Sequence, residues 1–152
     1  MARIVRVRTR DIALVLQSPS LFDRRLDRQA TFEFLRDPAN VFLLAIEDEH
    51  GVGFLRGTSL RQLHSRRAQM FLYEIEVLRR FRRRGIARSL IEWLLRYCRR
   101  AGFEEIFVLT SPGNRPAVAL YRATGAETET DADRMYVYHL NRSTRAKRAG
   151  AR

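Results

Sequence analysis

This chain of 152 residues has one cysteine, one tryptophan and one lysine. A lone Cys98 excludes an intramolecular disulfide and any cysteine-rich metal site. His50, His64 and His139 are too scattered to show ligand spacing, so no metal is expected. No apolar run approaches the roughly 20 residues that span a bilayer, and the N-terminal MARIVRVRTRD lacks the uninterrupted hydrophobic stretch of a signal peptide. The chain reads as soluble and cytoplasmic, with no membrane partner. Because Lys147 is the only lysine, the formal charge of +12 is carried almost wholly by arginine, a bias that GC-rich codon usage produces without selection for binding. A nucleic acid, an acidic surface and a phosphorylated cofactor all remain open as anionic partners.

What the chain does have is enough apolar residue, 45%, to bury a core, in one domain's length. The segment 141–152 holds five of the 29 basic groups and nothing a core uses. It reads as a disordered basic tail behind a single domain of residues 1–140. Without it, 24 basic groups face 17 acidic ones, a balance of +7.

Period-two and period-3.6 patterns order the domain. Ile4 to Arg8 alternates as a strand, and Thr9 or Asp11 can cap a short helix towards Gln17. A second helix, Thr31 to Arg36, stops before Asp37-Pro38, because the residue before proline avoids the α region. Val41 to Glu47 and Gly51 to Leu60 form a hairpin, and Ala68 to Leu78 is a third long strand. From Arg83 to Arg100, Ile86, Ala87, Leu90, Ile91, Leu94, Leu95 and Cys98 fall on one helical face, ending at Gly102. Cys98 reads there as a small buried hydrophobe. Trp93 and Tyr97 lie off the stripe, free to cover another helix or a dimer partner, so monomer and homodimer both stay open. Glu105 to Thr110 is a buried-type strand, and Pro116 suits the first turn of a helix to Thr124 that Gly125 stops. Met135 to Leu140 is a final strand, with a further short one possible around Ala126 to Thr130. Strand, helix, strand, helix demands right-handed crossovers and parallel pairing, whereas hairpins are antiparallel. The fold class is α/β, a mixed sheet of six or seven strands with helices on both faces.

The most informative stretch is Ile75 to Arg88, where a strand runs through a basic turn into an amphipathic helix. Backbone N–H groups in such a turn point outward with the positive end of the helix dipole behind them. Gly85 lets the backbone approach a ligand, and Arg82, Arg83 and Arg84 add charge. A phosphate cradle and a solvated basic cap fit these residues equally. Against a nucleic-acid-binding module, the non-enzymatic alternative, stand the absence of a recognition-helix or aromatic RNA-binding pattern and the scatter of the basic groups.

Arg82-Arg83-Arg84-Gly85-Ile86-Ala87 resembles the R/Q-x-x-G-x-G/A pyrophosphate loop of the GNAT superfamily, the acetyl-CoA-dependent N-acetyltransferases. Asn114-Arg-Pro-Ala-Val-Ala-Leu-Tyr121 is similar to that superfamily's N-x-x-A-x-x-L-Y segment, and motif order and strand order agree from Ile4 to Leu140. Within the superfamily, Leu21-Phe22, Phe42 to Asp48, Phe71-Leu-Tyr-Glu-Ile and Gly113 to Tyr121 resemble the small aminoglycoside 3-N-acetyltransferases of gentamicin resistance. The Glu that ribosomal-protein alanine N-acetyltransferases use as base lies five residues before the motif asparagine, where this chain has Leu109.

The resemblance implies acetyl-CoA as co-substrate and a small-molecule amine as acceptor. It implies that main-chain groups of Ile75, Glu76 and Val77 hydrogen-bond the pantetheine arm, that Arg82 to Ala87 hold the pyrophosphate, and that Asn114 and Ala117 flank the arm. Tyr121 occupies the general-acid position; otherwise it is an aromatic packed between helix and sheet. Glu74 and Glu76 alternate and so share a strand face, unlike Tyr73, Ile75 and Val77. Glu74 matches the acidic position of the aminoglycoside group as ammonium binder and base; alternatively both carboxylates pair with arginines. Glu127, Glu129, Asp131 and Asp133, with Asp23, Asp27 and Glu33, would add to a negative acceptor mouth, or only solubilise a basic protein. The expected function is acetyl transfer to an aminoglycoside amine, with protein, peptide or polyamine N-acetylation as the alternative.

Overall fold

The computed structural model describes residues 1–128. Its strands are β1 (Arg3–Arg6), β2 (Asn40–Glu47), β3 (His50–Leu60), β4 (Gln69–Val77) and β5 (Glu105–Val108), and its helices are α1 (Ile12–Leu16), α2 (Arg28–Arg36), α3 (Ile86–Ala101) and α4 (Arg115–Ala123). The strands form one sheet in the order β1-β2-β3-β4-β5. The first three pairings are antiparallel, and β4 pairs parallel with β5 across the α3 connection. This is the mixed sheet that the sequence predicts, five-stranded among the described residues. Residues 126–128 are irregular, and the predicted strand Met135 to Leu140 and the basic tail lie outside the described residues. Among the described residues no helix is long and apolar enough to cross a membrane.

The sheet is covered on both faces, which is why β2 reads as a continuous apolar run. On one face Val41, Leu43, Ala45, Leu55, Met70 and Leu72 pack against Leu90, Ile91, Leu94 and Cys98 of α3. On the other, Phe42, Leu44, Ile46 and Phe54 pack with Val7, Val15 and Leu21. Leu43, Leu44, Leu55, Leu90 and Leu94 are wholly inaccessible. Each such leucine contributes about 2 kcal/mol by leaving water, so these two layers are what hold the sheet between its helices.

The local starts and stops have identifiable causes. The Asp11 carboxylate accepts the Arg8 N–H at 3.0 Å and turns the chain out of β1. Asp27 caps α2 by accepting the Ala30 N–H at 2.7 Å. The helix predicted from Arg83 begins only at Ile86, because Arg83 (φ 63°) and Gly85 (φ 77°) are left-handed and cannot belong to an α-helix. Gly102, also left-handed, closes α3 and donates to Arg99 O. Gly53 is required for a different reason: a Cβ there would sit 3.0 Å from Glu76 O and 3.4 Å from Ile86 Cγ2, where β3 meets β4 and the start of α3.

Candidate active site

The site begins with a mismatch between β4 and β5. β5 pairs only with the first part of β4, Gln69 to Leu72, while β4 runs on to Val77. A β-bulge lies at the same place: Arg56 opposes Glu74 and Gly57 opposes Leu72, so Tyr73 is the extra residue. Bulges bend and twist a strand, and this one lies where the pairing of β4 with β5 ends. Leu78 N–H donates to Val52 O on β3, so strand alternation points the main-chain groups of Ile75 and Val77 away from β3, to the edge that β5 leaves.

That edge is not equally open along its length. Val77 N–H donates to Glu76 Oε1 at 3.2 Å, and Val77 O accepts from Arg82 Nε at 3.0 Å. Arg82 NH2 and Glu76 Oε1 are themselves 2.8 Å apart. The three residues thus close on one another over the end of β4, and among the described residues Ile75 is left as the position whose main chain stays available for an added strand.

Beyond Val77 the chain makes a 3₁₀ turn, Arg79–Phe81, and then the basic loop. Two of its arginines are committed to protein carboxylates: Arg82 to Glu76, and Arg84 to Glu47 at 3.0 Å. Arg83 sits between them, exposed and left-handed. Ser89 N–H is the first to bond back, to Gly85 O at 2.9 Å, and α3 has no side-chain N-cap. The N–H groups of Gly85, Ile86, Ala87 and Arg88 are therefore the orphan donors of the helix start, gathered at its positive dipole end. Left-handed Gly85 followed by the right-handed helix curls successive N–H groups into the concavity that holds anions.

On the face of α1 and α2 lies a cleft of about 750 Å³, walled by Phe22, Phe34, Phe42, Phe54 and Tyr73. Glu74 opens into it, with its carboxylate 2.8 Å from Arg56 Nε. Asp23 and Asp27 also line it, and so do Arg24, Arg25 and Arg56. The expected negative mouth is therefore a cleft of balanced charge among the described residues; Glu127 is exposed, and Glu129, Asp131 and Asp133 lie outside those residues. The bulge corrects a second expectation. Glu74 and Glu76 do share a face, but Tyr73 joins Glu74 on it, because the extra residue breaks the alternation between them.

α4 supplies the remaining groups. Asn114 caps it, Oδ1 accepting the Ala117 N–H at 3.4 Å, and Pro116 stands in its first turn. Tyr121 is half-buried against the cluster that also takes up Ile75, Val77 and Ile86. Burial pushes its phenol above the ordinary tyrosine range, so the proton stays on the oxygen at neutral pH. Tyr121 and Glu74 thus lie on opposite faces of the sheet.

Residues 9–126 match the model of the acetyltransferase (GNAT) family. The chain belongs to that family. Among curated relatives, N-acetyltransferase 8B of Rattus norvegicus is 30% identical over 95 residues, which are 62% of this chain and 43% of that protein. The chain thus spans under half the length of the curated relatives it matches. The solved structure of the aminoglycoside acetyltransferase meta-AAC0020, from an uncultured soil metagenomic sample and in complex with sisomicin, superposes with a TM-score of 0.84 at 24% identity, covering 92% of this chain and 97% of that one. AAC(6')-Iy, in complex with the bisubstrate analogue CoA-S-monomethyl-acetylneamine, gives 0.74 at 23%, covering 93% and 99%. At these identities the likeness is one of fold.

In this GNAT chain Ile75, Glu76 and Val77 at the end of β4 lead through one turn into Arg82 to Ala87, while Tyr121 packs on the α3 side of the sheet and Glu74 opens into the cleft on the other. Sequence reasoning missed Arg56, Tyr73, Phe22, Phe34 and Glu47. Arg56 and Glu47 lie far along the chain from Glu74 and Arg84, and only the β3–β4 and β2–β3 registers bring them close. The segments Leu21-Phe22, Phe42 to Asp48 and Phe71-Leu-Tyr-Glu-Ile contain Phe22, Phe42 and Tyr73 of the cleft's aromatic wall, but nothing in them marks these rings as neighbours.

Proposed function

We propose that this chain transfers the acetyl group of acetyl-CoA directly to a primary amine, and that the amine belongs to an aminoglycoside. The observation that carries the reading is the edge of β4 at Ile75, unpartnered among the described residues, running straight into the N–H groups of Gly85 to Arg88 that find no partner among those residues either. An extended amide-bearing arm pairs with the first as an added strand does, and its pyrophosphate meets the second. The site residues act on the two ends of the reaction. Glu74 holds the acceptor's ammonium and takes its proton, directly or through water, so that the neutral nitrogen attacks the thioester carbonyl. The main-chain donor at Ile75 stabilises the oxyanion that forms there. As the C–S bond breaks, the electron pair goes to sulfur, and Tyr121, which is protonated at neutral pH, donates its proton to the thiolate. Asn114 and Ala117 flank the arm, and Arg83 with the loop N–H groups holds the phosphates.

The aminoglycoside acceptor is supported by the fold likeness to aminoglycoside acetyltransferases over nearly the whole chain. One observation favours the peptide form of the second reading, N-acetylation of a peptide or polyamine. The cleft offers Arg24, Arg25 and Arg56 beside Asp23, Asp27 and Glu74, a balance suited to an acceptor carrying charges of both signs, such as a peptide terminus. A free-thiol assay with acetyl-CoA against gentamicin, kanamycin, spermidine and basic peptides separates the two. Thiol release with the aminoglycosides is the expected result. Release with peptides or spermidine alone overturns the acceptor assignment, and release with none overturns the activity.

A further inference from the structure

Glu74 does not stand alone in the acceptor cleft. Arg56 lies directly opposite it in the β3–β4 register, and Arg56 Nε donates to Glu74 Oε2 at 2.8 Å. The guanidinium carbon sits 4.1 Å from the centroid of the Tyr73 ring. Tyr73 is fixed in turn, edge-on to Phe71 at 5.6 Å, and Phe71 stacks on Phe107 of β5 at 4.9 Å and 6°. The bulge makes this possible by placing Tyr73 and Glu74 side by side on one face; in regular alternation the two would point to opposite sides of the sheet.

We propose that Arg56 is a positioning residue for the acceptor site: held over the Tyr73 ring, it fixes one oxygen of the Glu74 carboxylate so that the other, Oε1, faces the incoming amine. This rests on the reading of Glu74 as the acceptor-binding carboxylate. As a stability device the contact is poor. The Arg56 and Glu74 side chains are 35% and 44% exposed, and pairs so placed add little to folding. Its geometry has a use instead. A free glutamate samples several rotamers, and a cleft that must deliver an amine to a thioester carbonyl gains from a carboxylate held in one of them. Lysine cannot substitute, because it offers neither a planar group to lie on Tyr73 nor the Nε–H at that height along the side chain.

The test is steady-state kinetics with acetyl-CoA and whichever amine of the panel above turns over, for wild type, Arg56→Ala, Arg56→Lys, Glu74→Gln and Arg56→Ala/Glu74→Gln. Arg56→Ala is expected to raise the acceptor KM about tenfold, as loss of a charge-assisted hydrogen bond does, while the acetyl-CoA KM and the melting temperature stay near wild type. Arg56→Lys recovers little of the loss. The double variant is no worse than Glu74→Gln, since a carboxylate already removed needs no positioning. An acceptor KM unchanged in Arg56→Ala, full recovery in Arg56→Lys, or additive losses in the double variant each overturn the proposal while leaving Glu74 in place. Glu74→Gln behaving as wild type removes the underlying reading, and the proposal with it.

Discussion

Replacing Glu76 by glutamine separates the resting state of the basic loop from its ligand-bound state. In the structure Glu76 Oε1 does two things: it accepts the Val77 N–H at 3.2 Å and it pairs with Arg82 at 2.8 Å. Glutamine keeps an acceptor oxygen for the first and loses the charge for the second. The Arg82 and Glu76 side chains are 56% and 45% exposed, so their pairing is worth at most about 1 kcal/mol, and the folding free energy should move by less than that. If Arg82 turns from Glu76 to the phosphates when acetyl-CoA binds, the pairing energy is given up on binding, and removing it beforehand returns it as affinity. One kcal/mol corresponds to about fivefold in Kd, so acetyl-CoA should bind Glu76→Gln about two- to fivefold more tightly than wild type. The gain should shrink as salt is raised, because the groups are exposed. Titration calorimetry at two salt concentrations reads both effects. Affinity that is unchanged or weaker in Glu76→Gln would refute the reasoning, since Arg82 would then stay with Glu76 in the complex.

Two further outcomes follow from buried protons. Tyr121→Phe removes the proton offered to the thiolate while keeping the ring that packs against the sheet; turnover should fall by about 100-fold with the acetyl-CoA KM within about twofold, and unchanged turnover in the thiol assay would make Tyr121 a packing residue only. Burial pushes the Cys98 thiol from 9.0 up to about 11, so the unfolded chain loses this proton first as pH rises. The stability that Cys98 contributes is full below pH 9 and is lost between pH 9 and about 11. Urea unfolding at pH 8 and pH 10.5 should show a larger drop for wild type than for Cys98→Ala, and equal drops would place the thiol in contact with water.

Much of this fold is legible in the sequence because its signals are local. The α3 stripe from Ile86 to Cys98, the hairpin of β2 and β3, the Gly102 stop and the Asn114-Arg-Pro start of α4 each depend on residues within one or two turns of each other. The loop from Arg82 to Gly85 was legible for the same reason. What escaped was register. No residue in Phe71-Leu-Tyr-Glu-Ile announces that Tyr73 is extra; the bulge arises from how β4 is paired with β3 on one side and released by β5 on the other. That single insertion decides which side chains meet in the cleft. It brings Arg56, Tyr73 and Glu74 together, and with Arg24 and Arg25 ahead of α2 the mouth read as negative has balanced charge. The start of α3 was misplaced by three residues because a left-handed arginine at position 83 is uncommon, and nothing in an arginine-rich run marks which member adopts it.

The central claim is that the edge of β4 and the start of α3 form one site for acetyl-CoA. Its most direct test is the thermal unfolding of the full chain with acetyl-CoA at about 100 times its Kd, against a nonspecific DNA duplex as the competing anion. A ligand that binds only the folded state stabilises it by about 2.7 kcal/mol at that ratio, which for a chain of this size raises Tm by about 8 °C. The expected result is that shift with acetyl-CoA, abolished in Gly85→Val, where a β-branched side chain would have to hold φ near 77° at the mouth of the anion site. No shift with acetyl-CoA, together with duplex binding that falls steeply with salt, would contradict it.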